Sequence, residues 1–338
     1  MDALLRRRLA AVAALLVLTV AACTSAATPA PSTAPSGAGA SPAQAASPSP
    51  SPSPSPSPIA YPLTLTDDEG TAVTIPAAPS KIVSLTPAVT ETLFAIGVGD
   101  RVVAKVEDVA DYPPEAHDLP VVATYQGVDV ERIVALGSDL VLAGGADFNS
   151  PDSVAQLRRA GIPVVVVSAT SIDGAFADIR LVGVAAGAAP AADRLAASMA
   201  DDMATVQAAV AGEPTPTVFY EIGDDPSLYT VPKGSLYTEM LERAGSAPIT
   251  TDASYVIQLE AVVAADPSII LLGDAAYGVT PEQVAARPGW SGIAAVTSGA
   301  IRPVDDVIVT RPGPRLPDGL RALVAAIHPD VALPSRAP

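Results

Sequence analysis

The stretch VERIVALGSDLVLA, residues 130–143, decides the fold because it returns later in the chain as LEAVVAADPSIILL, residues 259–272. Aligned without a gap, the two copies place Glu131 over Glu260 and one aliphatic run over the other. Each copy predicts a short helix that opens with a glutamate, then a turn, then a strand buried on both faces. A chain that contains this unit twice is expected to form two similar halves.

Short aliphatic runs continue on either side of both copies and alternate with helical stretches. The runs KIVSL (81–85), IPVVVVSA (162–169) and TVFYEI (217–222) lack the alternation of a half-exposed strand. Such runs are typical of a parallel or mixed sheet that helices cover on both faces. The stretch PLTLTDDEGTAVTI (62–75) alternates instead around a polar turn, so it predicts a hairpin before an α/β fold.

One long amphipathic segment separates the two sets of runs. Residues 190–212 begin with proline, end with glycine, and carry an apolar stripe at helical spacing: Leu195, Met199, Met203, Val206 and Val210. At 1.5 Å per residue this helix is roughly 35 Å long. We therefore expect it to join two α/β lobes, with its methionines serving in packing.

The composition excludes several classes of partner. The chain has 338 residues and a formal net charge of -17, with only three lysines. Such a surface repels nucleic acid and anionic lipid headgroups. The single cysteine, Cys23, rules out an intramolecular disulfide.

The N-terminal region predicts export and a lipid anchor. A basic start, MDALLRRR, precedes an apolar run at residues 9–22 that is too short to span a bilayer comfortably. The run ends in VAAC, which resembles the bacterial lipobox, so we expect lipidation at Cys23; ordinary secretion or a membrane anchor is the alternative. Residues 24–60 carry no charge and are rich in Ser and Pro, which favours an extended tether rather than a packed core.

No catalytic constellation stands out in the chain. A nucleophile elbow, a Walker loop, an HExxH motif and paired CxxC motifs are all missing, and the only histidines are His117 and His328. Both histidines lie in loop-like or chain-end stretches, whereas a site for a bare transition metal draws on several His or Cys ligands. We therefore predict no catalytic residues, no metal site and no cofactor.

The motifs resemble those of one protein class, in order, over residues 61–329. Besides the lipobox, tether and hairpin they are KIVSLTPAVTETLFAIGVGDRVV, DYPPEA, VERIVALGSDLVLA, PKGSLYTEMLERAG, PGWSGIAAV and RPGPRLPDGLRALVAAIHP. Together they are similar to the cobalamin and iron–siderophore class of ABC-importer substrate-binding proteins. The resemblance implies two Rossmann-like lobes joined by one long rigid helix, the class III periplasmic-binding-protein fold, with a ligand in the cleft between them.

The resemblance also implies a role for the repeated glutamates. In this class each lobe carries a surface glutamate that docks onto arginines of the transmembrane permease, and the matching positions here are Glu131 and Glu260. Carboxylates in the first turn of a helix are well held and pair strongly with arginine. The alternative is that each glutamate only interacts with the dipole of its own helix.

Six positions match ligand contacts of the class: Thr86, Pro87, Ala88, Tyr125, Gly127 and Arg311. Alternatives are a packed loop at Pro87, a half-buried core role for Tyr125, and an arginine that braces the C-terminal helix. Trp290 falls in a segment that is structural in this class and is left out of the site.

The ligand implied is a cobalt or iron chelate, with a corrinoid such as cobalamin as the first choice. Val109, Gly144 and Ser254 replace aromatic residues of the B12-binding members, which predicts a reduced apolar wall. A ferric siderophore, met by Arg311 and Arg315, and haem, ligated by a tyrosine near Tyr125, stay open as alternatives.

The complete prediction is an extracytoplasmic, lipid-anchored monomer that binds a small chelate and an ABC permease and is not an enzyme. A repurposed sensor or surface hydrolase is the competing function. The expected segments are a signal peptide at 1–22, the lipidated tether at 23–60, an N-terminal lobe at 61–185, a linking helix at 186–212 and a C-terminal lobe at 213–338.

Overall fold

Two separate sheets with helices on their faces dominate the computed structural model, which describes residues 59–335. The predicted signal peptide, Cys23 and nearly all of the tether lie outside the described residues. The elements of the first half are β1 Leu63–Thr66, β2 Ala72–Ile75, β3 Ile82–Ser84, α1 Pro87–Ala95, β4 Val102–Val106, β5 Val121–Thr124, β6 Gly127–Val128, α2 Val130–Ala135, β7 Leu140–Gly144, α3 Pro151–Arg159, β8 Val164–Val167 and α4 Ile172–Ala185, with 3-10 turns at Gly99–Arg101 and Pro114–Ala116.

The first sheet has six strands in the order β6-β5-β4-β3-β7-β8, and all neighbours are parallel except the short edge strand β6. Its strands are covered on both faces. On β7, Leu140 and Leu142 face one apolar cluster while Val141 and Ala143 face another. This is the arrangement that the continuous apolar runs predicted.

The second half repeats the plan in a smaller form. Its elements, together with the connecting helix, are α5 Ala189–Ala209, β9 Thr217–Gly223, β10 Tyr229–Thr230, α6 Leu236–Arg243, β11 Ala247–Pro248, α7 Leu259–Ala265, β12 Ile269–Leu272, α8 Pro281–Ala285, α9 Ala294–Ser298, β13 Ile301–Pro303, α10 Asp306–Thr310 and α11 Leu316–Ile327, with a 3-10 turn at Gly273–Tyr277.

The strands of the second half form one sheet in the order β10-β9-β12-β13, with β11 also paired to β9. Strands β9, β12 and β13 are parallel. The predicted α/β class is therefore confirmed, with two sheets that are mainly parallel.

The repeated sequence forms the same unit in both halves. Helices α2 and α7 each lead, through a short connection, into a central strand: β7 lies between β3 and β8, and β12 lies between β9 and β13. The turns contain Gly137 at φ 65° and Asp266 at φ 45°, so both copies use a left-handed residue to reverse direction.

Helix α5 runs between the two halves in sequence and packs into a core to which both contribute. Met199, Met203 and Val206 are buried on it as the stripe predicted, and Ala192 is buried where α5 meets α4. A Cβ at Gly183 of α4 would lie 2.2 Å from the Cβ of Ala192, so the two helices pack too closely for any larger residue there. Residues of α4, α5, α6 and α11 share this core with the inner faces of both sheets.

The predicted hairpin is formed by β1 and β2, which pair in antiparallel fashion. Its turn is held by Asp67, whose buried carboxylate accepts from the backbone N–H of Thr71 at 2.8 Å and from Arg158 Nη2 at 2.8 Å. The turn therefore stays fixed against β8. Among the described helices, none combines the length and the apolar character that a membrane crossing requires.

Candidate functional site

A cavity of about 540 Å³ lies where the carboxyl ends of both sheets meet. Its volume is within the range of small-molecule sites, and the carboxyl edge of a parallel sheet is where such sites usually form. The first half contributes Glu69, the start of α1, the loop after β7, the loop after β8 and one face of α4; the second half contributes the start of α6, Tyr255, and α10 with Arg311 and Pro312.

Three of the predicted contacts line this cavity together at the start of α1. Thr86 is the N-cap residue, and its hydroxyl accepts from the backbone N–H of Val89 at 3.2 Å. Pro87 and Ala88 follow in the first turn and also line the cavity. Because Thr86 is buried and bonded, this wall is preformed rather than mobile.

The same cavity is also lined by aromatic side chains that were not predicted from the sequence. Phe148, in the loop after β7, is 66% exposed, and Tyr255, in the loop before α7, is 50% exposed. Tyr237 joins them from α6. Phe148 could have been predicted from its position, because it lies four residues after the carboxyl end of the buried strand β7.

The sequence predicted a reduced apolar wall at Gly144 and Ser254, but aromatic side chains at nearby positions restore part of that apolar surface. Phe148 and Tyr255 supply rings close to those positions in sequence. A Cβ at Gly144 would lie 2.6 Å from Thr86 Cγ2 and 2.9 Å from Phe148 Cβ, so glycine is what lets the Phe148 loop come close.

Tyr125 and Gly127 lie outside the cavity lining. They form the turn between β5 and β6, where Tyr125 is 92% exposed and its hydroxyl accepts from Gln126 Nε2 at 3.1 Å. Gly127 has φ 142°, which favours glycine. Since β5 is parallel to β4, this turn follows the carboxyl end of β5 and lies at the same edge of the sheet as the cavity, without being part of its wall.

Arg311 lines the cavity, but its guanidinium is already bound by carboxylates. It donates to Glu91 Oε1 at 2.6 Å and to both Asp108 oxygens at 2.9 and 2.8 Å. Arg315 donates to the same Glu91 at 3.0 and 2.7 Å and lies over the ring of Tyr112 at 4.2 Å. Burial alone would raise the pKa of Asp108, but the bonds from Arg311 and the backbone outweigh it and hold that pKa below its usual range.

This group of four charges, which we call the Glu91 cluster (Glu91, Asp108, Arg311 and Arg315), connects the two halves. The carboxylates belong to α1 and to the loop after β4, whereas the arginines flank the short connection between α10 and α11. Both basic residues that were candidates for an anionic siderophore are therefore engaged in an internal ion cluster.

Asp178, on the first-half wall of the cavity, forms a carboxyl pair with Asp68. Asp178 on α4 accepts from the backbone N–H of Ala169 at 2.9 Å, and Asp68 in the hairpin turn accepts from that of Ser168 at 2.7 Å. Burial, and then the adjacent Asp68 carboxyl to which it is hydrogen-bonded, raise the pKa of Asp178 to about 8.

The second-half wall holds another carboxyl group, Asp306. Tyr220 donates its hydroxyl to Asp306 Oδ1 at 2.8 Å, and Thr310 lies 3.4 Å from Oδ2. Burial raises the pKa of Asp306 despite these bonds. Tyr237 also lines the cavity. Burial, and then interactions with Tyr255, raise the pKa of Tyr237 to about 12.

The two repeated glutamates lie on the surface. Glu131 and Glu260 are both exposed, each in the first turn of its helix. Asp129 caps α2 by accepting from the N–H of Arg132 at 2.9 Å.

Residues that were set aside as structural are largely enclosed. Trp290 is 2% exposed and packs edge-on against Phe219 with ring centroids 6.1 Å apart. His328 ends α11 and contacts the Gly245 carbonyl, whereas His117 is exposed and pairs with Asp111. Within residues 59–335, no group of three or more His, Cys, Asp or Glu side chains is arranged to hold a metal ion.

Comparison with known proteins assigns the chain to a family. The family described as periplasmic binding protein matches residues 82–307. The chain belongs to the periplasmic binding protein family. It is 36% identical over 277 residues to the uncharacterized ABC transporter substrate-binding lipoprotein YvrC of Bacillus subtilis, covering 80% of this chain and 87% of that one. It is 30% identical to the cobalamin-binding protein of Halobacterium salinarum, covering 80% of this chain and 75% of that one.

A solved relative has the same fold. The periplasmic heme-binding protein RhuT from Roseiflexus is 27% identical, with a TM-score of 0.67 over 74% of this chain and 98% of that one. The binding protein described here is thus an α/β member of the class that its motifs resemble, and the prediction of a substrate-binding protein is confirmed. Its relatives also place it among extracytoplasmic binding proteins.

Proposed function

We propose that this ABC-importer substrate-binding protein captures a corrinoid, with cobalamin as the first choice, in the cavity between its two sheets. The single observation that carries the proposal is the cavity of about 540 Å³ at the carboxyl edges of both sheets, with exposed aromatic side chains from each half in its wall. The name of the 30% identical cobalamin-binding relative supports the same ligand.

The aromatic residues suit a flat macrocycle. Phe148 and Tyr255 expose large apolar surfaces toward the cavity, and exposed apolar surface of this kind is typical of a ligand-binding site. A corrin ring offers a broad apolar face to such side chains, and aromatic contacts add to the area buried. The bonded start of α1 keeps the site preformed, so little ordering accompanies binding.

Haem is the second candidate, since a 27% identical solved relative is named as heme-binding. Iron ligation by a tyrosine requires the phenolate. Burial, followed by interactions with Tyr255, raises the pKa of Tyr237 to about 12, which adds to the cost of ionising this side chain for iron ligation. Support for the corrinoid comes from the exposed rings of Phe148 and Tyr255.

Delivery to the permease would use the two glutamates of the repeated unit. Glu131 and Glu260 are exposed, each in the first turn of its helix. Two rigid carboxylates, one on each half, match a partner that presents an arginine to each lobe. The lipidated Cys23 and the Ser/Pro-rich tether would keep the domain near that partner in the membrane.

Direct binding measurements test this function. Purified protein is titrated with cyanocobalamin and, separately, with haemin, and binding is followed by calorimetry and by the visible absorption of the ligand. We expect micromolar or tighter affinity for cyanocobalamin. Absence of corrinoid binding at these concentrations contradicts the proposal, and tighter binding of haemin would replace it with the second candidate.

A further inference from the structure

We propose that the cavity selects tetrapyrroles whose peripheral groups are neutral amides and rejects those that carry carboxylates, because its own wall is acidic on both sides. The inference rests on the proposed function and narrows its ligand class. It assigns the selection to Asp178 in the first half and Asp306 in the second half.

The wall of the cavity is acidic. Four carboxyl side chains line the cavity: Glu69, Asp147, Asp178 and Asp306. Among the described residues that line it, Arg311 is the one basic side chain, and it already donates to Glu91 and Asp108. An incoming carboxylate would therefore meet negative charge that no lining cation offsets, and like charges at close range are strongly unfavourable.

The first-half wall offers hydrogen-bond acceptors to a ligand. Asp178 is 9% exposed, and its carboxyl group and that of Asp68 are fixed by backbone N–H donors at 2.9 and 2.7 Å. The oxygen lone pairs that these donors leave unused are hydrogen-bond acceptors, which a ligand can meet with donors. A ligand carboxamide supplies N–H donors, whereas a ligand carboxylate supplies none.

The second-half wall offers an acceptor as well. Asp306 receives the hydroxyl of Tyr220 at 2.8 Å, which orients the carboxyl group while Oδ2 has only a long contact with Thr310 at 3.4 Å. Asp178 and Asp306 thus present acceptors from both halves. Amide groups arranged around a ring can meet both at once, and propionate groups cannot.

The test compares ligands that differ only in peripheral charge. Full-length protein in detergent is titrated with dicyanocobinamide, which has an amide periphery, and with dicyanocobyrinic acid, which has carboxylates in those positions. Haemin and its dimethyl ester form a second pair. We expect the amide corrinoid to bind more tightly by on the order of a hundredfold, and the ester to bind more tightly than haemin.

Isosteric variants connect this preference to the named residues. Asp178→Asn keeps an acceptor for the Ala169 N–H and offers a donor to Asp68, and Asp306→Asn keeps an acceptor for Tyr220, so both variants should fold. In titrations at pH 9, above the pKa of Asp178, each should reduce the ratio between the amide and carboxylate affinities by roughly tenfold. Glu213→Gln, which removes an exposed carboxylate away from the cavity lining, is the matched control and should leave the ratio unchanged.

The outcomes separate the two proposals. Equal affinities for the amide and carboxylate corrinoids refute the charge selection and leave the corrinoid function standing. Binding of haemin without binding of either corrinoid refutes both. An unchanged ratio in both aspartate variants, with melting curves that show folded protein, refutes the assignment to Asp178 and Asp306.

Discussion

The Glu91 cluster makes a quantitative prediction about stability. The Glu91 side chain is 1% exposed and accepts three hydrogen bonds, at 2.6, 3.0 and 2.7 Å, from Arg311 and Arg315. Replacing Glu91 by Gln removes one of two negative charges and turns an amide group toward guanidinium donors. Asp108 then remains as the carboxylate of the cluster, and its bonds are to Arg311.

Breaking a buried ion pair by removing one partner costs about 3 to 5 kcal/mol. The arginine side chains are 13% and 18% exposed, so water partly compensates them, and we expect the lower end, about 3 kcal/mol. With a urea m-value of about 2 kcal/mol per molar, the unfolding midpoint should fall by roughly 1.5 M.

Urea unfolding followed by circular dichroism measures this change. Glu107→Gln is the matched control, because Glu107 is an exposed neighbour of Asp108 and its loss should change the free energy of unfolding by less than about 0.5 kcal/mol. If Glu91→Gln unfolds within about 1 kcal/mol of the parent protein, the cluster does not hold the two halves together as argued.

Three further predictions concern docking, pH and the cavity wall. Lysine at Glu131 and Glu260 should abolish uptake in cells while ligand affinity stays unchanged; normal uptake by the double variant would exclude the docking role. The pKa of Asp178 rises from 3.8 to about 8 on folding, so the folded state keeps a proton that the unfolded state loses, and stability should fall as the pH rises between those values. Asp178→Asn should remove this slope and be more stable at pH 8 by on the order of a few kcal/mol, and identical pH profiles in thermal melts would contradict the shift. Phe148→Ala and Tyr255→Ala should each weaken corrinoid binding by roughly tenfold with little change in melting temperature, since both rings are largely exposed; unaltered affinity would show that they do not contact the ligand.

Much of the fold could be predicted because its signals are local. The apolar runs at β7 and β12, the stripe of Met199, Met203 and Val206 on α5, and the hairpin turn each follow from periodicity within a dozen residues. Burial on two faces or on one is encoded directly in such patterns. The duplicated unit then gave two similar sheets without any knowledge of distant contacts.

The cavity was predicted only in part. The start of α1 at Thr86 was predicted from the resemblance to the family, but Phe148, Tyr255 and Asp178 were not, because each lies in a loop or helix whose pattern carries no sign of a ligand. Their common feature is position at a sheet's carboxyl edge. That feature becomes visible only when the order of the strands is known.

The sequence by itself determined which segments are strands and helices and that there are two halves of one plan. Only the tertiary structure decided which charges are free to meet a ligand: Arg311 and Glu91 are separated by 220 residues, yet they lie 2.6 Å apart. The physical reason is that burial depends on the pattern of neighbours along the chain, whereas the state of a charge depends on the partner that folding brings to it.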